Sequence, residues 1–300
     1  MLPKVLLGKT GLEVTKLGFG ALELRDVQAN GGRLPNEEHA AVVLNAVLEA
    51  GINFIDTSPA YGRSEEFIGR FIADRRDEYY LATKCGRAQI GVPEGMHWSR
   101  GALLASIDQS LRRLGTDHVD LLQLHGPTVD EAEAFDVVGT LEEIRSAGKT
   151  RFIGVSAILP HITKFIEWNV FDTFQIVYSA LEPEHDDSIS IAAGAGAGTI
   201  IRGGSVKGAP LREKGRGPEF PTVRNRWVRS GLADLLGDAD IVQTMFRYAL
   251  AHPFAHTFIN GTQDLEHLKA NVKAVELGHL DPQLQAAITE RVMTAVNAEA

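Results

Sequence analysis

Four ionisable residues of four different types carry the chemistry that this sequence suggests: Asp56 and Tyr61 in FIDTSPAYG, Lys84 in LATKCG, and His125 in DLLQLHG. A phenol, with a reference pKa of about 10, is a poor proton donor near neutrality. A close ammonium favours the phenolate and so makes the phenol a better acid, and a carboxylate would hold that lysine charged and in place. An imidazole could give a second hydrogen bond to the same substrate oxygen. Together such groups polarise a carbonyl and deliver a proton as hydride arrives at carbon. None of them can supply a hydride, so this chemistry requires a reduced nicotinamide. Taken singly, each residue has a plainer reading: a buried Asp56–Lys84 ion pair, Tyr61 as loop packing, and His125 as a hydrogen-bonded strand end. A metal-dependent barrel hydrolase with Asp56 and His125 as ligands is a further alternative. The lysine between them and the lack of further clustered histidines or carboxylates argue against it, and no metal is expected.

Facing one another requires elements that bring these residues to one place. Short apolar runs alternate with longer amphipathic ones. Expected strands are Lys16–Gly20, Ile52–Asp56, Tyr79–Lys84, Val119–His125, Arg151–Val155, Thr173–Val177, Thr199–Arg202 and Ala255–Asn260. Several, such as VDLLQLH, are nearly continuously hydrophobic, as strands buried on both faces are. Expected helices are Asn36–Ala50, Ser64–Ala73, Ser99–Leu114, Phe135–Ala147, His161–Trp168, Pro183–Ala193, Ala239–Ala251 and Asp264–Glu276. Eight strand–helix units without an internal linker predict an α/β fold, a single (β/α)8 TIM barrel domain spanning residues 1–300. A short N-terminal β-hairpin (Lys4–Gly8 and Leu12–Val14) and an extra C-terminal helix fall outside the count. In such a barrel the active site forms at the C-terminal strand ends, where Asp56, Lys84 and His125 lie.

Composition narrows the field. Of 300 residues, 44% are apolar and 23% charged, and the net charge of −9 argues against a nucleic-acid binder. The single cysteine, Cys85, excludes a disulfide framework. No run approaches a membrane span and no secretory signal is evident, so a cytoplasmic protein without membrane partners is expected. Gly8-Lys9-Thr10 resembles the end of a P-loop, but Pro3 stands where its first glycine belongs and no helix is expected to follow. The glycine run from Gly194 to Gly198 follows a helix and precedes a strand, the reverse of a Rossmann loop, and reads as helix termination.

The three blocks FIDTSPAYGRSEEFIG, LATKCG and DLLQLHG are similar to those of the aldo-keto reductase family, in the family's order and spacing. The resemblance extends from LGFGALEL to GTQDLEHLKANV. It implies NADPH-dependent carbonyl reduction, with Tyr61 as general acid, Lys84 and Asp56 as its tuning pair, and His125 as carbonyl orienter. For the cofactor it implies Gly20, Ala21 and Leu22 at the nicotinamide ribose, and Ser156 and Gln175 at the carboxamide. Ala157 stands where the family carries Asn or His. Arg202, followed by Gly203, occupies the place of a tyrosine that stacks on the nicotinamide. A guanidinium plane can stack there, but it disfavours the positively charged oxidised ring. At the adenine end the resemblance points to Gly261, Thr262, Gln263, His267 and Asn271. Gly261 and His267 replace the usual lysine and arginine, and Asp264 lies nearby. NADPH is the expected cofactor, with NADH as the alternative.

The acid is unevenly distributed. Between Arg202 and Arg229 eight basic residues face two acidic ones, a local +6 against −15 for the rest of the chain. The stretch Gly203–Gly237 lacks helix or strand periodicity and reads as a long loop. It could close over the cofactor pyrophosphate through Lys207, Arg212 or Arg216, or simply lie in solvent. The expected function is interconversion of an aldehyde or ketone, small or sugar-like, with its alcohol. The rival reading is a nicotinamide-binding sensor of the same fold with little turnover. Oligomeric state is not readable from the sequence.

Overall fold

The near-continuous apolar runs form strands because both of their faces are covered. The computed structural model describes residues 1–25, 37–87, 97–204 and 220–299. Its strands are β1 (Lys4–Leu6), β2 (Glu13–Thr15), β3 (Leu17–Gly20), β4 (Phe54–Asp56), β5 (Tyr80–Cys85), β6 (Val119–His125), β7 (Thr150–Ser156), β8 (Thr173–Val177), β9 (Gly198–Arg202) and β10 (Thr257–Asn260). Strands β3 to β10 pair in parallel in chain order, and β10 closes onto β3 through Phe258 opposite Leu17. A helix follows each: Glu37–Glu49, Ser64–Phe71, Arg100–Leu114, Val137–Ser146, His161–Trp168, Asp186–Gly194, Ile241–Leu250 and Leu265–Glu276. This is the expected (β/α)8 barrel.

Strand alternation decides what fills its inside. Phe54, Ala82, Leu121 and Ile200 form an apolar layer with Leu7, Leu12 and Val14 of the hairpin. Their chain neighbours Ile55, Leu81, Leu122 and Ile201 belong to the larger core between sheet and helices. Two residues further along the same four strands come Asp56, Lys84, Gln123 and Arg202. The period of two therefore stacks a polar layer directly above an apolar one, at the C-terminal mouth.

The hairpin β1–β2 closes the opposite end. Its connection is a 3-10 turn at Gly8–Thr10, and the Lys9 amide donates to the Gly196 carbonyl at 2.9 Å while Lys9 Nζ donates to the Ala195 carbonyl at 2.8 Å. The lysine that resembles a phosphate ligand is thus a strut against the glycine-rich turn ahead of β9. The extra C-terminal helix is present as Pro282–Asn297 and packs against the helix Phe220–Ser230.

Several boundaries differ from expectation. The stretch Gly203–Gly237 is not all loop, because the helices Phe220–Ser230 and Leu232–Leu236 occupy its second part. Its three arginines, 224, 226 and 229, obscure the apolar spacing, yet Val223 and Trp227 are buried four residues apart. Arg226 is itself structural: it donates to the Leu181 carbonyl at 2.9 Å and pairs with Glu184 and Glu299. Lys207, Arg212 and Arg216, on which closure over the cofactor was expected, lie outside the described residues, as does Asn36. The segment Pro183–Ala193 divides into a 3-10 turn, Pro183–His185, and the helix Asp186–Gly194. A separate helix, Val129–Ala134, precedes Val137–Ser146 and opens with a capping box between Thr128 and Glu131. Among the described residues no helix is long and apolar enough to cross a membrane.

Candidate active site

The polar layer at the mouth is organised around Lys84, which is almost fully buried on β5. Its ammonium donates to Asp56 Oδ2 at 2.5 Å and to the Thr57 carbonyl at 3.0 Å. The other carboxylate oxygen, Asp56 Oδ1, accepts from Gln123 Nε2 at 3.0 Å and from Gln175 Nε2 at 2.9 Å. Every bond to Asp56 thus comes from a donor, which is what a buried carboxylate requires. Burial acts to lower the lysine's pKa, but the charges and hydrogen bonds of Asp56 and Tyr61 prevail and hold the ammonium above its ordinary value.

Tyr61 leans over this pair, with Lys84 Nζ 4.9 Å from the centre of its ring. His125, at the end of β6, stands edge-on to the same ring with centroids 5.8 Å apart. The four expected residues therefore meet. His125 is flanked by Ser58 Oγ, 3.1 Å from Nδ1, and by Arg87 Nη1, 3.2 Å from Nε2. A guanidinium can only donate, so in this arrangement Nε2 carries the lone pair and Nδ1–H donates to Ser58. Burial, then the positive charges of Lys84, Arg87 and Arg202, push the imidazole down to about 2. His125 is a neutral group at any physiological pH.

Arg202, at the end of β9, enters the same field. Burial acts to lower its pKa, and the charges of Tyr61, Glu182 and Asp56 oppose that. Ser156 and Gln175 are neighbours, Ser156 Oγ donating to Gln175 Oε1 at 3.0 Å, so the Gln175 amide is engaged at both ends and joins the expected carboxamide pair to Asp56. Ala157 is buried beside them.

On the opposite side of the mouth, Gly20 at the end of β3 lies against Gly261 just after β10. A Cβ at Gly261 would stand 2.4 Å from the Gly20 carbonyl oxygen, so the position taken by lysine in the resemblance admits no side chain in this backbone. Ala21 and Leu22 open the 3-10 turn Ala21–Leu24. Gln263 fastens this turn by donating to the Glu23 carbonyl, and its own carbonyl contacts His39 Nε2 at 2.5 Å. Thr262 Oγ1 accepts from the Asp264 amide at 3.0 Å. Asp264 caps the helix Leu265–Glu276 by accepting from the Glu266 amide at 2.8 Å. His267 and Asn271 lie on that helix, the first exposed and the second half-buried. Gly203 follows β9 with φ +85°.

Sequence reasoning missed Gln123, Ser58, Arg87 and Glu182. Gln123 was within reach: it is two residues before His125, hence on the same face of the strand. Ser58 and Arg87 sit in loops, where no periodicity tells direction. The buried Trp98 packs against Gly86, where a Cβ would lie 1.8 Å from the indole. Glycine there also meets φ +86°.

The family model described as Aldo/keto reductase family matches residues 16–292. The curated protein "Uncharacterized oxidoreductase YqkF" of Bacillus subtilis (strain 168) is 28% identical over 292 residues, 91% of each chain. L-galactose dehydrogenase of Arabidopsis thaliana is 38% identical over 159 residues, 51% of this chain and 47% of that protein, so this match spans about half of each. The solved structure of aldo-keto reductase AKR11C1 from Bacillus halodurans in its holo form superposes with a TM-score of 0.81 at 28% identity, over 97% of this chain and 96% of that one.

Proposed function

Because the chain belongs to the aldo/keto reductase family, whose members are NAD(P)H-dependent oxidoreductases, we propose that it interconverts a small aldehyde or ketone and its alcohol with Tyr61 as the proton donor. The observation that carries this reading is the buried Lys84–Asp56 pair at 2.5 Å, set beneath the Tyr61 ring at the mouth of the barrel.

A nicotinamide suits the donor set of the strand ends. Ser156 and Gln175 offer polar side chains beside Asp56, and Gly20 and Gly261 present bare backbone to one another across the strands. When bound, the reduced nicotinamide supplies the hydride, which no side chain can give. Tyr61 gives its proton to the substrate oxygen, and the Lys84 ammonium stabilises the phenolate that remains. Asp56 keeps that ammonium charged in a dry site, and Gln123 and Gln175 keep Asp56 ionised and oriented. His125, neutral, shapes the oxygen's place without adding charge. Arg202 and Gly203 border the ring's place on the β9 side.

For the adenosine end we propose NADPH with only a modest preference over NADH. Thr262, Gln263, His267 and Asn271 are suited to a 2′-phosphate and adenine, while the Asp264 carboxylate opposes a further negative charge at the start of the same helix. Tyr61→Phe should abolish NAD(P)H consumption with 4-nitrobenzaldehyde and methylglyoxal while NADPH binding, followed by fluorescence, persists. A Tyr61→Phe protein that keeps most of its turnover overturns this mechanism. Wild-type protein that binds the cofactor but turns over no carbonyl would favour the sensor.

A further inference from the structure

We infer that the substrate carries an anionic oxygen group, a carboxylate or phosphate, close to its carbonyl, and that Arg87 binds it. This rests on the reductase reading above and names the substrate class for that same site.

Arg87 stands at the mouth just after β5. It directly follows Gly86, which takes φ +86° and lies against Trp98. Its exposed side chain sets Nη1 3.2 Å from His125 Nε2, at the rim of the mouth. In that contact the imidazole proton lies on Nδ1, towards Ser58, and the donor nearest the substrate's place is the guanidinium.

The charge balance of the mouth points the same way. Lys84, Arg87 and Arg202 all act on His125. Of the carboxylates nearby, Asp56 is committed to Lys84 and the two glutamine amides, and Glu182 acts on Arg202 while accepting from Ser179 Oγ at 3.2 Å. Among the described residues neither Arg87 nor Arg202 forms an ion pair. A concave mouth with surplus guanidinium charge favours an anion. Arg202 lies on the nicotinamide side, so Arg87 remains for the substrate. Its planar fork matches a carboxylate or phosphate with two parallel bonds. Drawing the guanidinium onto such a group also frees His125 Nε2; with the Ser58 hydroxyl then donating to Nδ1, the imidazole proton moves to Nε2 and faces the carbonyl oxygen, so anion binding and assembly of the carbonyl site are coupled.

The test compares kcat/KM for two matched pairs: 4-oxobutanoate against butanal, and glyceraldehyde 3-phosphate against glyceraldehyde. Wild-type protein should favour the anionic member of at least one pair tenfold or more, the pair identifying carboxylate or phosphate. In Arg87→Gln the preference should fall at least tenfold, and Arg87→Lys should restore part of it. A readout that needs no variant is inhibition of the wild-type enzyme, where butanoate should compete at least tenfold better than butanamide. Preference near one in both pairs with butanal still reduced, or a preference unchanged in Arg87→Gln, overturns the proposal and leaves the reductase standing. Failure to reduce any of the four overturns both.

Discussion

Asp56→Asn isolates the charge that the site is built on. The carboxylate is about 1% exposed and accepts three hydrogen bonds, from Lys84 at 2.5 Å, Gln123 at 3.0 Å and Gln175 at 2.9 Å. Asparagine keeps the shape but offers one acceptor and two donors, so its amide cannot accept from all three partners. Lys84 keeps neutral acceptors such as the Thr57 carbonyl, at 3.0 Å, but loses its carboxylate. Removing one partner of a buried ion pair costs about 3–5 kcal/mol, because the other charge is left desolvated. At roughly 2–4 °C per kcal/mol for a protein of this size, Tm should fall by about 6–20 °C at pH 7. The sign with pH is specific. In the wild type the lysine sits above its ordinary value, so its contribution is present below pH 10.5 and is lost only as pH rises through the raised folded value. Without Asp56 burial is unopposed by that charge, the folded value drops below 10.5, and the deficit is largest where the lysine must still be protonated. The Tm gap between variant and wild type should therefore narrow from pH 7 towards pH 9.5. Turnover should not recover alongside it, because a neutral Lys84 no longer stabilises the Tyr61 phenolate; kcat should fall by at least about 10²-fold. Differential scanning fluorimetry and NADPH oxidation across that range measure both. A variant within 2 °C and threefold of the wild type, or a gap that widens with pH, refutes this account of the pair.

Three further outcomes are expected. Burial pushes the Glu65 carboxyl above its ordinary value despite the Thr83 hydroxyl at 2.7 Å and Arg113 at 3.4 Å. The folded state thus holds that proton more tightly than the unfolded chain, and stability is lost as pH rises through the raised value; Glu65→Gln should gain in Tm relative to wild type between pH 5 and pH 8, and no gain would contradict it. His125, pushed down to about 2, stays neutral, so kcat/KM should show no imidazole limb between pH 5 and 8, and a limb near 6.5 that vanishes in His125→Asn would be the contrary result. Asp264→Asn keeps the helix cap but removes a negative charge worth about 0.3–1 kcal/mol at a helix N-terminus, so the kcat/KM ratio of NADPH to NADH should rise roughly two- to fivefold, and an unchanged ratio would place the 2′-phosphate elsewhere.

Much of the architecture is local in origin and was therefore legible. Runs such as VDLLQLH announce strands covered on both faces, and their count and spacing predict the closed barrel. The C-terminal strand ends then place Asp56, Lys84 and His125 together without any distance being known. Where local signals are ambiguous, less is legible: Val129–Ala134, opened by the Thr128–Glu131 capping box, is too short for an apolar spacing to show, and the basic residues of Phe220–Ser230 conceal a helix.

Sequence alone determined the identity of the reacting groups and the period that turns them inward, because both are properties of a few adjacent residues. Tertiary structure alone decided their partners. Lys84 meets Asp56 across 28 residues, Gln123 meets it across 67 and Gln175 across 119. Only closure of the barrel, which fixes the register of strands remote in the chain, brings these donors onto one carboxylate. The same closure sets Arg87 over His125 and Gly261 against Gly20, contacts between loops whose direction no local pattern encodes.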